Sequence, residues 1–283
     1  MRIVLVANRK SGSGRTDGDR IQALLKEHGA DVQSIDLDDL DEPLPEADRL
    51  VVAGGDGSIG VAARAANRAD LPLAVLATGT ANDFATALGL PRDLEDACAL
   101  AADPDAPAQH REVGLAGGRP FVNAAAAGLS AVASRLAKPH KARLGRFAYA
   151  FGAVRAALTA PHTPCTVRCD GETVFDGDAW QVVVAVSGAF GGGANIGGTR
   201  PDDDHLDVAV VPARSRLALA RHGYHMRRAM LTQQQDVPHH RGREIDVTVP
   251  AGTEFNVDGD LRRLDPARFT LLEGGLRVVV RRD

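Results

Sequence analysis

The chain has 283 residues, of which 44% are hydrophobic and 25% charged, with a formal net charge of −4. This balance excludes a disordered or collagen-like chain. No apolar run approaches the roughly 20 residues of a membrane-crossing helix, and the length predicts two domains.

The first strand-like run, residues 3–7, is too short for a secretory signal core, and no small-residue cleavage pattern follows it. Residues 2–7 (RIVLVA) predict a buried strand. The polar loop NRKSGSGR then leads into an amphipathic helix over 19–28, and a strand follows over 31–37. A short strand over 50–53 ends on Gly54-Gly55. It is followed by a helix over 59–67, a strand over 72–77 and a helix over 81–88. Short apolar strands alternating with helices predict a parallel sheet covered by helices. The polar, proline-bearing stretch 103–107 marks a break. The domains are accordingly expected at 1–115 and 116–283, the first of α/β class.

After residue 115 the pattern changes. Helices are expected over 131–137, 147–158 and 217–231, and short strands over 166–169, 181–186, 206–211, 245–249, 269–272 and 276–280. Turns such as Asp170-Gly171, Asp176-Gly177 and Asp258-Gly259 punctuate them. That spacing predicts a mainly antiparallel β-sandwich with attached helices. Trp180, Tyr149 and Phe151 are expected in the core, and His239-His240 in a loop, since adjacent side chains on a regular backbone diverge. Cys98, Cys165 and Cys169 form no CxxC pair and cannot all pair, which points to reduced thiols and a cytoplasmic protein.

The charge is unevenly spread. Residues 31–48 carry acidic charge only, and 134–168 carry basic charge only, including Arg135, Lys138, Lys141 and Arg155. Residues 214–243 contain Arg214, Arg216, Arg221, Arg227, Arg228, Arg241 and Arg243 against Asp236 alone. Such stretches suit an anionic partner.

Three glycine-bearing loops follow strands at what should be one edge of the parallel sheet, where ligands of such sheets bind. In 54–58 (GGDGS), the glycines permit close backbone approach to phosphate oxygens, and a helix N-terminus follows. Asp56 there makes sense as a holder of Mg2+. In 79–85 (GTANDFA), Thr80 and Asn82 offer a hydroxyl and an amide to phosphate or ribose. In 8–14, Asn8, Arg9, Lys10 and Ser11 add donors and positive charge.

NRKSGSG, GGDGS and GTANDFA, in this order, resemble the diacylglycerol kinase catalytic-domain family, which includes sphingosine and ceramide kinases and bacterial lipid kinases. The glycines at 191–193, the segment 202–207 (DDDHLD) and Asp258-Gly259-Asp260 resemble that family's later motifs. The resemblance implies an ATP- and Mg2+-dependent kinase that phosphorylates a hydroxyl of diacylglycerol or a related lipid at the inner membrane surface, with no nucleic-acid partner. A homodimer is left open. The resemblance also implies that domain 1–115 binds the nucleotide and domain 116–283 the lipid or acceptor, with Asn8, Ser11, Gly54, Gly55, Asp56, Gly57, Ser58, Thr80 and Asn82 as the nucleotide residues. Asp258 and Asp260 would deprotonate the acceptor, with Asp56 as a further catalytic residue across a shared crevice. The resemblance also implies a second-domain magnesium on Asp203 and the carbonyls of Arg200 and His205. The chain departs from the family pattern at Asp260 (usually Glu), Asp204 (usually Gly), Ser130 (often Asp) and Ala77-Thr78 (usually Pro-Leu). Two other readings stand beside this one: an NAD-kinase-like phosphotransferase on a soluble acceptor, and a catalytically silent nucleotide-binding regulator.

Overall fold

A computed structural model describes residues 1–7, 14–140, 147–187, 195–198 and 203–282. Asn8, Ser11, the glycines at 191–193, Arg200 and Asp202 lie outside the described residues. The chain forms two compact units, Met1–Val113 with Leu272–Asp283, and Gly114–Leu271.

In the first unit, β1 (Arg2–Ala7), β2 (Asp31–Ile35), β3 (Arg49–Gly54) and β4 (Leu73–Ala77) run parallel. With β5 (Ala108–Arg111) and β17 (Leu276–Val279) they form a six-stranded sheet in the order β2-β1-β3-β4-β17-β5. Helices α1 (Gly14–Glu27), α2 (Asp56–Arg68) and α4 (Leu94–Ala102) flank these strands, and the short α3 (Asp83–Ala87) follows β4. The core is aliphatic, with Ile3, Leu5, Val51, Leu76 and Val279 packed against Ile21, Leu25 and Cys98. Continuous burial of β1 and β3 along their length is what a sheet covered on both faces requires. Within β3, Arg49 is buried and its guanidinium donates to the carbonyls of Ala101 (2.7 Å) and Asp103 (3.0 Å) at the end of α4. It thereby satisfies acceptors that a helix terminus leaves open.

Two elements of this unit differ from expectation. α4 stands where no helix was expected; its N-terminus is capped by Asp93, whose carboxylate accepts the N–H groups of Glu95 and Asp96. β17, expected with the second half of the chain, pairs in parallel with β4 and antiparallel with β5. Asn67 holds it there by donating to the carbonyls of Glu273 (3.0 Å) and Gly275 (2.7 Å), and Arg277 pairs with Asp70 (2.8 Å). A strand this short finds its sheet through such long-range partners, which sequence order does not disclose.

The second unit is built on an antiparallel, curled sheet. Its main path runs β15 (Asp260–Arg263), β14 (Glu254–Val257), β8 (Ala124–Gly128), β10 (Glu172–Ala185), β9 (Thr163–Cys169), β13 (Glu244–Thr248), β16 (Ala267–Leu271), β6 (Gly114–Ala116) and β7 (Arg119–Phe121). β11 (Leu206–Pro212) pairs with β10 and with β12 (His239–Gly242). The 14-residue β10 carries irregularities at Thr173/Phe175 and Ala179/Gln181. These let it pair with β9 along one half and with β8 and β11 along the other. Helices α5 (Leu129–Ala137), α6 (Phe147–Thr159) and α7 (Arg216–Arg227) attach to this sheet. Phe121, Phe255 and Phe269 fill one face of it, and Ala124, Ala126, Val183 and Leu219 the other.

His239 and His240 lie in a strand rather than a loop, although their side chains still diverge. Trp180 is buried as expected, whereas Phe151 is 41% exposed. α7 ends at Arg227, short of the expected 231, and Ala229 sits at φ 52° just beyond. All three cysteines are free and buried. Burial pushes the Cys98 and Cys165 thiols up to about 11. Titration with a thiol reagent at neutral pH is therefore expected to be slow for the native protein and complete only in denaturant. Rapid native labelling of Cys98 or Cys165 would contradict this packing.

Candidate functional site

The loops after β3 and β4 leave adjacent parallel strands at their carboxyl ends, so they share one sheet edge. Gly54 ends β3, Gly55 is the N-cap of α2, and Asp56 is its first residue. Glycine is needed here for space. A Cβ on Gly54 would lie 2.7 Å from the Ser58 Cβ, and one on Gly79 would lie 2.5 Å from the Gly55 Cα. The two loops thus touch backbone to backbone, and the Thr78 N–H donates to the Gly54 carbonyl (3.1 Å).

Asp56 links them further. It is buried, and its Oδ2 accepts the N–H of Asp83 (3.2 Å) while its Oδ1 accepts that of Phe84 (3.0 Å). A carboxylate that begins α2 therefore caps the N-terminus of α3, where negative charge is favourable. The N-cap of α3, Asn82, sits in the left-handed region at φ 53°, which is why this helix starts later than its sequence suggests. The Asn82 amide donates to the carbonyls of Ala77 (3.2 Å) and Gly79 (3.0 Å), and its buried Oδ1 has no hydrogen-bond donor. Thr78, Gly79 and Thr80 are exposed at the rim, as is Gly57. α2 has no side-chain cap of its own, so its first turn is open to an anion. A triphosphate and a ribose fit this arrangement: anion-seeking N–H groups at α2, and an orphaned acceptor at Asn82 that a hydroxyl satisfies.

In the second unit, Asp258 and Gly259 form the two-residue turn between β14 and β15, at φ 47° and 92°. Both central residues are left-handed, as a tight hairpin turn of this kind demands. The Asp258 carboxylate accepts three backbone N–H groups at the start of β8, those of Val122 (2.7 Å), Asn123 (3.0 Å) and Ala124 (3.2 Å). Asp260 is exposed and pairs with Arg262 at 3.2 Å. Ser130, buried in the first turn of α5, has a hydroxyl without a partner.

Two family models match this chain: a diacylglycerol kinase catalytic domain over residues 2–110, and a YegS C-terminal NAD kinase beta sandwich-like domain over residues 123–280. A probable lipid kinase, YegS-like, from Pseudomonas fluorescens is 32% identical over 251 residues, covering 83% of this chain and 78% of that protein. The chain belongs to the family of YegS-like and diacylglycerol kinase-like lipid kinases. A diacylglycerol kinase of Bacillus subtilis is 26% identical over 252 residues, 85% of this chain and 80% of its own. The solved structure of a putative diacylglycerol kinase from Bacillus anthracis shares the fold, with a TM-score of 0.79 at 23% identity, covering 99% and 97% of the two chains.

Use of ATP follows from this membership. The two carboxylates expected to hold magnesium make contacts of their own. Both Asp56 oxygens are engaged by backbone N–H groups. Asp203, expected to bind a cation, pairs through Oδ2 with the guanidinium of Arg241, which also reaches the fully buried Asp207 at 3.3 Å, while the buried Asp203 Oδ1 has no hydrogen-bond partner. His239 Nε2 donates to the same Asp207 oxygen at 2.6 Å. Sequence inspection missed this pairing, because His239 and Arg241 meet Asp207 only through the β11–β12 register, in which Asp207 faces Arg241. Among the described residues no cluster of three or more His, Cys, Asp or Glu is poised for a metal. Asp204, in place of the family glycine, takes φ 58°. No helix among the described residues is long and apolar enough to cross a membrane.

Two outcomes follow. Asp56→Ala removes the acceptor of two N–H groups and is expected to cost about 1–3 kcal/mol in urea unfolding. It should also speed amide exchange at Asp83 and Phe84 in nucleotide-free protein; unchanged exchange there would show that the carboxylate is not the clamp. Arg241→Met leaves Asp203 without its guanidinium partner and Asp207 with His239 alone, and is expected to cost about 1–3 kcal/mol in the same measurement.

Proposed function

We propose that this chain transfers the γ-phosphoryl group of ATP to a hydroxyl of diacylglycerol or a closely related lipid. The observation that carries the reading is the preassembled loop pair, in which Asp56 and the Gly55–Gly79 contact hold the open first turn of α2 beside the Asn82 loop. Phosphoryl transfer asks a protein mainly for positioning and charge stabilisation. ATP, when bound, supplies the phosphoryl group to be transferred. The N–H groups of Gly57 and its neighbours receive phosphate oxygens, and the rim residues Thr80 and Asn82 orient the nucleotide. Asn8 and Ser11 belong to the same nucleotide set in this reading. Magnesium enters as the counter-ion of the triphosphate.

Of the two aspartates in the late motif, the exposed Asp260 is assigned the general-base role, accepting the proton of the attacking hydroxyl. The Asp258 oxygens are occupied by three backbone donors, so its task is to hold the hairpin that presents Asp260. Ser130, with an unsatisfied buried hydroxyl, is a candidate contact for the lipid's polar end.

The test is a panel of diacylglycerols and related lipids in mixed micelles with labelled ATP and magnesium. Phosphorylated lipid is expected from the wild type. Asp260→Asn should lower kcat by about 10²–10⁴ with little change in KM for ATP. Gly79→Ala, which forces a side chain against the Gly55 backbone, should instead raise KM for ATP. Phosphorylation of NAD without any lipid product would overturn the proposal, and so would full activity of Asp260→Asn.

A further inference from the structure

α6 buries small residues, and both α6 and α7 turn large apolar ones outward. On α6, Gly152 and Ala156 are buried, and a Cβ on Gly152 would lie 2.3 Å from the Ala133 carbonyl oxygen of α5. That contact fixes which face of α6 points in. The opposite face carries Phe151, Val154 and Leu158 at helical spacing, with Val154 62% and Leu158 67% exposed. α7 buries Leu219, His222 and Met226 and exposes Leu217 (83%) and Tyr224 (55%), seven residues apart on one face. The helices are joined where the Arg216 guanidinium donates to the Ala157 carbonyl and lies 5.2 Å over the Trp180 ring. Leu158 and Leu217 are the chain neighbours of that contact, so the two apolar stripes adjoin. Exposed apolar side chains this large, grouped on adjoining helices, mark an interaction surface.

The charge around them indicates the partner. Arg155 lies over Phe151 at 5.9 Å and Arg228 over Tyr224 at 4.8 Å. No acidic residue occurs from 134 to 168, and the only one from 214 to 243, Asp236, is taken up by Arg221 and His222. An apolar stripe rimmed by arginines complements a bilayer, which offers hydrocarbon beneath anionic headgroups. It complements a second copy of itself poorly, because two-fold self-pairing would set arginines against arginines.

We propose that the outward face of α6 and α7 is a docking surface for anionic lipid bilayers, seating Val154, Leu158 and Leu217 in the interface with Arg155 and Arg228 at headgroup level. The inference rests on the lipid-kinase reading and deepens it by naming the surface through which the enzyme meets its substrate phase.

The experiment floats the full chain with vesicles of phosphatidylcholine alone or mixed with phosphatidylglycerol. It compares the wild type with Val154→Ser/Leu158→Ser/Leu217→Ser and with Arg155→Glu/Arg228→Glu. Phosphorylation of a short-chain, water-dispersed diacylglycerol and of a bilayer-embedded one is followed in parallel. The wild type should float with the anionic vesicles. Each variant should lose about tenfold or more in apparent vesicle affinity, melt like the wild type, keep short-chain turnover and lose bilayer turnover in proportion. Variants that float like the wild type would overturn the inference, as would a wild type that ignores anionic vesicles. A dimer that dissociates in the serine variant would instead assign the face to self-association. Vesicle binding that depends on this face, with no lipid phosphorylated in either form, would keep the docking surface and overturn the lipid-kinase reading.

Discussion

The carboxylate of Asp56 receives the N–H groups of Asp83 and Phe84 and so joins two loops that are 28 residues apart in the chain. The geometry of the candidate nucleotide site depends on this joint. Without it, the short α3 would have an uncapped N-terminus, and only the amide contacts to Ala77 and Gly79 would hold Asn82 in its left-handed conformation, which asparagine tolerates but does not prefer. Gly55 and Gly79 serve the same constraint, since the loops approach closely between them, while Gly54 makes room for Ser58 of its own loop. What these glycines supply is contact distance rather than flexibility.

A second carboxylate behaves in the same way. Asp258 gathers three backbone N–H groups at the head of β8 and turns the β14–β15 hairpin, leaving Asp260 as the exposed acid of its motif. In both units, then, an aspartate inside a glycine-bearing motif organises backbone. A carboxylate that accepts several amide hydrogen bonds is a strong, directional anchor, so a motif can owe its acidic residue to architecture and its neighbours to chemistry.

The pairing of Asp203 and Asp207 with Arg241 and His239 shows how the second unit neutralises a buried acid beside a half-buried one. A buried carboxylate must find a compensating charge or donor. Here the compensation comes from side chains on the neighbouring strand, and it leaves Asp203 Oδ1 and Asp207 Oδ2 without hydrogen-bond partners.

Much of the fold could be read in advance from local pattern. The apolar runs at 2–7, 50–53 and 72–77 with helices between them announce a parallel sheet, and the Gly/Asp turns of the second half announce antiparallel strands, because hydrophobic period and turn chemistry act over a few residues. The loops around Gly54 and Gly79 were legible for the same reason. Other features were decided only by packing. The alanines of β8 carry little strand preference of their own and become a central strand through pairing with β10 and β14. β17 is recruited into the first sheet from the far end of the chain, and Phe151 is turned outward because only Gly152 and Ala156 fit against α5. The sequence by itself determined which residues are chemically able to act. The tertiary structure decided which backbone groups their carboxylates reach, because a hydrogen bond needs its donor within about 3 Å, and those donors lie tens to more than a hundred residues away along the chain.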